Sequence, residues 1–387
     1  MNIASELRHL LGDDAVGDDE QTLAEHSSDK WFAHESPEVV VFARSTDDVC
    51  KLLRFANENK IPVTARGAGY GYVGSCVPIR RGIALSLVRM NRIKEINFAD
   101  AIALVEPGVI TADLKRAVRE QKLFYPPDPA SLEHCTIGGN VATNAGGPRC
   151  LKYGVTRNYV IGLEVILANG DLLHTGGRVH KNKTGFDLIG LFVGSEGMLG
   201  IVTAITLKLL PLPPGRATLS ASFDTMLEAA AMVQQIFAAG FLPSSLEIAD
   251  KFTLEAARHD SAGARVPPGN AHFLVELDGQ KESVAAEMEK IRDLVWRRNP
   301  SALEVATNEA DSEKLWALRR EFSNSLRATG LTKLNQDIVV PRSRLVDLVA
   351  FAEKLSARSG LPIACFGHAG DGNIHVNIMQ TRQWGFW

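Results

Sequence analysis

The sequence has few cysteines and no arrangement of them that builds a site. Its five cysteines are Cys50, Cys76, Cys135, Cys150 and Cys365, and none lies in a CxxC pair. An odd number of scattered cysteines indicates neither a disulfide framework nor a cysteine zinc site. A reducing compartment is therefore expected.

A basic excess and a long apolar run are also missing. The 387 residues include 42 basic and 45 acidic side chains, which leaves a formal net charge of −3, so a nucleic acid is not the expected partner. The first seven residues include Glu6, where a signal peptide would be basic and then apolar, and no run of about 18 apolar residues occurs. These absences predict a cytoplasmic protein, which could be peripheral to the inner membrane.

What the chain does have is an alternation of strand-like and helix-like segments from Pro37 onward. A capping-box pattern begins at Ser45, and apolar residues at helical spacing then predict a helix. A second helix is predicted from Thr111. Asn169-Gly170, flanked by aliphatic and β-branched residues, predicts a β-hairpin from Leu163 to His174.

A proline cluster at residues 211–215 breaks both periodicities and predicts a domain junction. Beyond it, the spacing of apolar residues predicts helices at 284–295 and 315–326 and strands at 273–277 and 337–340. The expected segments are an N-terminal extension (1–36), a first domain (37–212) and a second domain (213–387).

The segment from Arg66 to Gly74 contains the pattern Gly69-x-Gly71-x-x-Gly74, which matches the dinucleotide fingerprint. That fingerprint needs a helix directly after the glycines, but Pro78 and Gly82 break any helix here. The residues instead predict a bent loop whose backbone N–H groups converge on an anion, with Arg66 as a countercharge. An ordinary glycine-rich turn is the alternative.

Two further segments of small residues follow, at 135–147 and 194–200. Glycine at so many positions exposes backbone to which a flat or extended ligand could come close. Tight packing would explain any one of the three glycine segments. Together they predict a large ligand lying across them.

Four segments together resemble one family, in the right order. They are RGAGYGYVG (66–74), PPDPASLEHCTIGGNVATNAGG (126–147), LKYG (151–154) and VGSEGMLGIVT (193–203). They resemble the FAD-binding domain of the vanillyl-alcohol oxidase type, and are most similar to the FAD-linked D-2-hydroxyacid dehydrogenases: D-lactate dehydrogenase, the flavin subunit of glycolate oxidase and D-2-hydroxyglutarate dehydrogenase. The resemblance implies an α+β fold, in which the FAD-binding domain is followed by an α+β cap domain for the substrate.

The resemblance also implies which residues bind FAD. Because Tyr70 stands where many members have threonine or the flavin-linked histidine, a covalent histidyl link through this position is excluded and the FAD is expected to be non-covalent. The expected FAD-binding residues are Arg66, Gly67, Ala68, Gly69, Tyr70, Gly71, Gly74, Pro127, Asp128, Thr136, Gly138, Gly139, Ala142, Asn144, Ala145, Gly146, Gly147, Tyr153, Gly154, Glu196, Gly200, Ile201 and Val202.

The segment from Phe366 to Ile378 holds two histidines around a turn. In a strand, His375 and Asn377 would share one face, and Asp371-Gly372 predicts a turn that folds the strand ending at His368 back beside them. Both imidazoles could then meet one divalent metal, with zinc as the expected ion. Two histidines are half of such a site, and either could instead be structural. His368, His375 and Asn377 are the predicted catalytic residues here.

Arg319 is the fourth predicted catalytic residue, because it falls on the apolar stripe of its predicted helix with Leu315 and Phe322. A guanidinium on such an apolar stripe must be paired with a hydrogen-bond acceptor. It is either a bidentate clamp for a substrate carboxylate, which the family's W-x-x-R motif supports, or part of a buried ion pair or a snorkelling side chain. In relatives, Lys333 and Asp337 match a region near the substrate.

Family members continue past this histidine segment into a Gly-Glu-His-Gly motif, whose glutamate would supply the third metal ligand. The chain ends Thr381-Arg382-Gln383-Trp384-Gly385-Phe386-Trp387, which does not resemble the family. The second domain is therefore expected to be truncated. Glu276 and Asp371 are conceivable replacement ligands with no support from the pattern.

The resemblance implies FAD-dependent oxidation of a small D-2-hydroxyacid to the 2-oxoacid, by hydride transfer to flavin N5. D-Lactate is favoured, with glycolate and D-2-hydroxyglutarate as further candidates. A quinone, a cytochrome or an electron-transfer flavoprotein would accept the electrons, and a homodimer is one possible assembly. Two alternatives stay open: a flavin-binding subunit without turnover of its own, and a flavin-free metal-dependent hydrolase using His368, Asp371 and His375.

Overall fold

The computed structural model describes residues 2–31, 33–260 and 265–381, and within them the chain forms two compact units. The first unit takes the chain up to residue 146 and from 154 to 212. The second takes residues 147–153 and the chain from 213 onward. The chain thus passes between units inside the proline cluster, and the short segment 147–153 belongs to the second unit although its chain neighbours belong to the first.

The N-terminal half of the first unit is built on a four-stranded sheet in which β2, β4 and β3 are parallel. In spatial order the strands are β1 (Val16–Gly17), β2 (Val39–Phe42), β4 (Ile83–Ser86) and β3 (Val63–Arg66), and the helices are α1 (Ile3–Leu11), α2 (Glu20–Glu25) and α3 (Thr46–Asn59). Ser45 caps α3 as predicted, by accepting from the N–H of Asp48. Leu7 and Leu11 of α1 share one apolar core with α3, so the described part of the N-terminal extension belongs to this unit.

The rest of the first unit centres on a five-stranded antiparallel sheet. Its strands, in spatial order, are β5 (Ile93–Asn97), β6 (Ile102–Val105), β10 (Ile201–Lys208), β8 (Val160–Ile166) and β9 (Leu172–Gly176); β7 (Leu123–Phe124) pairs with β11 (Leu210–Pro211), and the helices are α4 (Thr111–Glu120), α5 (Ile137–Thr143) and α7 (Leu188–Phe192). The predicted hairpin is confirmed as β8 and β9. Gly170 in its turn has a φ of +80°, where an L side chain would be strained.

The second unit is one seven-stranded antiparallel sheet with helices on both faces. The strands, in spatial order, are β15 (Ala302–Ala306), β12 (Gly215–Phe223), β14 (Ala271–Gly279), β13 (Ser245–Ala249), β17 (Ile363–His368), β18 (Asn373–Gln380) and β16 (Thr332–Val339). The helices are α6 (Cys150–Tyr153), α8 (Met226–Ala238), α9 (Lys251–His259), α10 (Lys281–Trp296), α11 (Glu309–Ala328) and α12 (Leu345–Ser359).

The two faces of this sheet differ in character because side chains alternate along each strand. One face is apolar and packs against α8, α10 and α12. The other face packs against α9 and α11 through a smaller core that includes Phe322 and Phe366, and it also bears buried polar residues. Glu247, Arg319 and His368 meet on this second face.

Within the described ranges, no helix combines the length and the apolar composition that a membrane span requires.

Candidate active site

A cleft in the first unit is lined by all three glycine segments. Its volume is about 1090 Å³, including the part that is open to solvent. The predicted FAD-binding residues that line it are Arg66, Gly67, Ala68, Gly69, Tyr70, Gly71, Thr136, Gly138, Gly139, Ala142, Ala145, Glu196, Gly200, Ile201 and Val202. The predicted ones outside its lining are Gly74, Pro127, Asp128, Asn144, Gly146, Gly147, Tyr153 and Gly154.

The first glycine loop has the shape of an anion cradle. No helix lies between β3 and β4, so the structure agrees that the dinucleotide fingerprint is misleading here. Gly69 has a φ of +70°, and a Cβ on Gly67 would meet the Thr136 hydroxyl at 2.6 Å. Among the described residues, no acceptor is bonded to the N–H groups of Ala68, Gly69 and Tyr70. Consecutive free amides in a loop without side-chain bulk fit a pyrophosphate.

Hydrogen bonds to backbone carbonyls fix the position of the Arg66 side chain, which the sequence does not predict. Its guanidinium donates to the backbone carbonyls of Ser28 at 2.6 Å and Glu25 at 3.2 Å, and it fills the space that a Cβ on Gly69 would need. The side chain is therefore a brace beneath the loop. Its partners are neutral, so its positive charge still lies beside the cradle.

Tyr70 contacts two neighbouring segments through its ring. The ring stacks on His134 at a centroid distance of 4.8 Å, and the Lys30 ammonium lies 4.6 Å from its centroid. The ring therefore joins the first glycine loop to residues 30 and 134.

The second glycine segment contains a short helix, α5, at Ile137–Thr143. Thr136 caps it by accepting from the N–H of Gly139 at 3.2 Å. Gly138 lies against Pro107, so closely that a Cβ would come within 2.5 Å of the proline Cβ. Glycine is unfavourable in a helix, but here it is the residue that lets the helix pack.

Replacing Gly138 by alanine should therefore overpack this contact. We expect the free energy of unfolding to fall by about 1–3 kcal/mol, with weaker retention of flavin because the cleft wall shifts. Thermal unfolding and flavin content of the purified variant measure both effects. Gly177→Ala is the control, since a Cβ there meets nothing within 4 Å; equal stability of the two variants would contradict the packing argument.

Tyr153 makes its described contacts within the second unit. Its hydroxyl donates to Asp278 of β14 at 2.8 Å, and the neighbouring Lys152 ammonium contacts the same carboxylate at 2.6 Å. Both residues lie in the segment that belongs to the second unit. These contacts anchor α6, and the FAD role of Tyr153 stays a prediction.

A polar cluster in the second unit centres on Glu247, which the sequence analysis missed. The Arg319 Nε donates to Glu247 Oε2 at 2.5 Å, and His368 Nδ1 lies 2.7 Å from Glu247 Oε1. Glu247 is fully buried, because α9 and α11 cover the sheet face on which its side chain lies. Burial alone would raise the pKa of Glu247, but the charges of Arg319 and His368 lower it to about 2.

Arg319 is buried and paired, as its place on the apolar stripe requires. The pairing found is the ion pair with Glu247, one of the two alternatives open from the sequence. Its guanidinium also lies over the Phe366 ring, 5.0 Å from the centroid. Within the described part of the chain no acceptor is bonded to its two Nη groups, so they stay available to a carboxylate.

His375 lies beside this polar cluster and belongs to β18, the strand next to β17. The predicted turn at Asp371-Gly372 is confirmed, with β17 and β18 antiparallel on either side of it. The His375 and His368 rings are 5.2 Å apart, and His375 Nδ1 lies 3.0 Å from Asp337 Oδ1 of β16. Burial lowers the pKa of His375, and the bond to Asp337 partly opposes that shift.

The predicted metal centre is not supported. Among the described residues, no group of three or more His, Cys, Asp or Glu side chains is placed to hold a metal ion. Within that part of the chain His368 and His375 have no third ligand beside them, and Glu276 is engaged by Arg149, Arg216 and Trp316. The metal-dependent hydrolase alternative likewise gains no support from these residues.

Two other polar residues flank the pair. Asn377 shares the His375 face as predicted, but it is fully buried and its amide donates to the carbonyls of Ala364 and His375. The bond to Ala364 joins β18 to β17. The catalytic role of Asn377 stays a prediction. Lys333 donates to Ser323 Oγ at 2.7 Å, and burial together with nearby arginines lowers its pKa to about 8.

Comparisons with known families agree with the two-unit division of the chain. Residues 37–176 match the family described as FAD binding domain. Residues 212–384 match the family described as FAD linked oxidases, C-terminal domain. Both halves of the fold therefore have counterparts in FAD-linked proteins.

Among similar proteins are oxidoreductases of hydroxyacids. The chain is 40% identical over 376 residues to the glycolate oxidase subunit GlcD of Bacillus subtilis, covering 97% of this chain and 80% of that protein. It is 34% identical to the D-lactate dehydrogenase of Anaerostipes hadrus, covering 93% and 77%. The chain thus spans about four fifths of the length of these relatives.

Solved structures share the fold at low sequence identity. p-Cresol methylhydroxylase with substrate bound superposes with a TM-score of 0.80 at 20% identity, over 98% of this chain and 82% of that one. Alkyldihydroxyacetonephosphate synthase gives 0.80 at 19%, over 97% and 80%. At such identities the agreement concerns the fold alone.

Proposed function

The chain belongs to the FAD-linked oxidoreductases with a vanillyl-alcohol oxidase type FAD-binding domain, and we propose that it oxidises a small D-2-hydroxyacid to the 2-oxoacid. D-Lactate is the favoured substrate, with glycolate and D-2-hydroxyglutarate as the other candidates. The observation that carries this proposal is the cluster in the second unit, where a buried arginine and two histidines meet. Relatives named glycolate oxidase subunit and D-lactate dehydrogenase support the substrate class.

The glycine-lined cleft of the first unit fits FAD. We assign the pyrophosphate to the free amides of residues 68–70, with the Arg66 charge beneath them. We assign the flavin to the walls formed by Thr136, Gly139 and Val202. When bound, FAD would accept the hydride from the substrate Cα.

Arg319 is the proposed anchor for the substrate carboxylate. One edge of its guanidinium is bound by Glu247, and its two Nη groups form a fork that matches the two oxygens of a carboxylate. Phe366 beneath the guanidinium limits its movement. The Lys333 ammonium, 5.8 Å from the centroid of the Phe366 ring, adds a second positive charge near that ring.

His375 and His368 are the proposed acceptors of the hydroxyl proton. Each has its Nδ1 against a carboxylate, Asp337 and Glu247 respectively. Each Nε2 is thereby left as the acceptor atom, because an ionised carboxylate can only accept hydrogen bonds. Proton removal from the hydroxyl then accompanies loss of the Cα hydrogen.

A second candidate is a flavin-binding subunit without turnover of its own. The Bacillus relative is named as a subunit of glycolate oxidase, which favours this candidate. A quinone, a cytochrome or an electron-transfer flavoprotein as acceptor, a homodimer and contact with a membrane surface belong to the proposal as well.

Turnover with an artificial electron acceptor tests the proposed function. The purified, FAD-loaded chain is given D-lactate, L-lactate, glycolate or D-2-hydroxyglutarate, and dye reduction is followed. We expect turnover with D-lactate and at least a 100-fold lower kcat/KM for L-lactate, because carboxylate and hydroxyl are fixed at two points. Retained flavin without turnover on any of the four would favour the subunit candidate.

A further inference from the structure

A short segment of the second unit, residues 147–153, interrupts the chain of the first unit. The chain leaves the first unit after Gly146 and re-enters it at Gly154. Just outside these points the two ends are joined, because Thr156 donates to the carbonyl of Ala145 through its N–H at 3.1 Å and through its hydroxyl at 2.7 Å. Ala145 also lines the glycine-lined cleft. We call residues 147–153 the strap.

Charged and polar side chains anchor the strap to β14. Arg149 donates to Glu276 through Nε and Nη2, each at 3.1 Å. Lys152 and Tyr153 both donate to Asp278, at 2.6 and 2.8 Å. The two acidic side chains are only 0% and 7% exposed, so solvent screens these ion pairs weakly.

Leu151, in the middle of the strap, is its apolar anchor. It packs against the core that α8, α10 and α12 cover. Its Cδ2 lies so close to Gly370 that a Cβ on this glycine would come within 2.5 Å of it. Gly370 belongs to the turn between β17 and β18, and its φ lies outside the left-handed region. Packing against Leu151, rather than backbone strain, therefore explains the glycine.

Glycine flanks the strap on both sides, so the backbone of the strap does not set its own position. Gly146 and Gly147 stand at its start, and Gly154 follows its end with a φ of +78°. Glycine restricts the chain less than any other residue, so the anchors in the second unit are what hold the strap. Because the chain runs from the strap directly into Ala145, a shift of the strap would move the wall of the cleft.

We propose that the strap couples FAD binding in the first unit to the order of the β17–β18 turn in the second, with Leu151 as the positioning residue. A ligand that binds better when the strap is anchored also favours the anchored strap, since such coupling is reciprocal. FAD should therefore order the turn, and loss of the Leu151 anchor should weaken FAD binding. The proposal rests on the assignment of FAD to the glycine-lined cleft and needs no particular substrate.

Leu151→Ala removes the apolar anchor and leaves the ion pairs of the strap in place. We expect the dissociation constant of FAD, measured by fluorescence titration of the chain freed of flavin, to rise at least fivefold. Leu151→Met nearly keeps the side-chain volume and should bind FAD within about twofold of the wild type.

Leu303→Ala is the matched control for loss of core packing. Leu303 is partly buried against the same core, but it belongs to β15, an edge strand with three strands between it and β17. Its FAD dissociation constant should stay within about twofold of the wild type. An equal rise in both alanine variants would overturn the proposal, because the effect would then follow from stability alone.

Hydrogen exchange measures the coupling in the other direction and needs no variant to fold. In the wild type, FAD should slow deuterium uptake at residues 363–380 at least fivefold and change uptake in β15 by less than about twofold. In Leu151→Ala the slowing should be lost. FAD binding without slowing at 363–380 in the wild type would overturn the proposal, as would a slowing that persists in full in Leu151→Ala. A wild type that binds no FAD would contradict the proposed function, and this proposal with it.

Discussion

His375→Ala should abolish oxidation of D-lactate, with kcat at least 1000-fold lower, and leave the amount of bound flavin unchanged. The substitution removes one of two proposed proton acceptors from the second unit, whereas the FAD cleft lies in the first unit. Folding should suffer little, because the partner left behind, Asp337, is a largely exposed side chain that water can solvate. Dye-coupled turnover and flavin released on denaturation measure the two outcomes.

His259→Ala is the control for this variant, since His259 is an exposed histidine at the end of α9 in the same unit. It should retain both turnover and flavin. Loss of flavin in His375→Ala, with turnover per bound flavin unchanged, would contradict the assignment of His375 to the substrate site.

Arg319→Lys should raise KM for D-lactate by about 10- to 100-fold, with a smaller effect on kcat. Lysine keeps the positive charge that Glu247 needs, so the buried carboxylate is not left unpaired. It lacks the planar fork, and one ammonium cannot hold Glu247 and a substrate carboxylate in the same geometry. The loss of one charged hydrogen bond, worth about 1.5–3 kcal/mol, sets this range. Steady-state kinetics measure the change in KM, and the binding of oxalate, a non-reacting carboxylate, measures the loss of carboxylate affinity.

Arg320→Lys is the matched control, one residue along the same helix. Arg320 is half exposed and pairs with Glu313, away from the cluster. Its KM should stay within about twofold of the wild type. If both arginine variants raise KM alike, the effect is not specific to Arg319, and Arg319 is not the anchor.

The sequence correctly predicted the structural features that depend on a few consecutive residues. The Ser45 cap of α3, the Asn169-Gly170 hairpin and the turn at Asp371-Gly372 each depend on a few consecutive residues, and the structure contains all three. The side-chain alternation in β18 likewise placed His375 and Asn377 on one face. These features needed no knowledge of distant parts of the chain.

What the sequence did not reveal depends on contacts between distant residues. Helix α5 is rich in glycine, which opposes a helix locally, and it forms where Gly138 fits against Pro107. Arg66 was predicted as a countercharge for an anion, and no sequence signal indicated that the carbonyls of Glu25 and Ser28 would hold its side chain beneath the loop. No local pattern in α5 predicts its contact with Pro107, and none in the first glycine loop predicts the bonds of Arg66 to Glu25 and Ser28.

Glu247 was missed because its local pattern is that of an exposed residue. Side chains alternate along a strand, so a glutamate between Leu246 and Ile248 points to the face opposite theirs. In the structure α9 and α11 cover that face, so the charge is buried and needs a partner. The sequence reveals neither this cover nor the partners, Arg319 and His368.

The central claim is that this chain takes electrons from a D-2-hydroxyacid into bound flavin. The most direct test is the absorbance spectrum of the purified, FAD-loaded chain, recorded anaerobically before and after addition of D-lactate. We predict loss of the oxidised flavin band and formation of pyruvate in equal amount to the flavin reduced. A flavin band that persists with D-lactate, glycolate and D-2-hydroxyglutarate alike would contradict the claim.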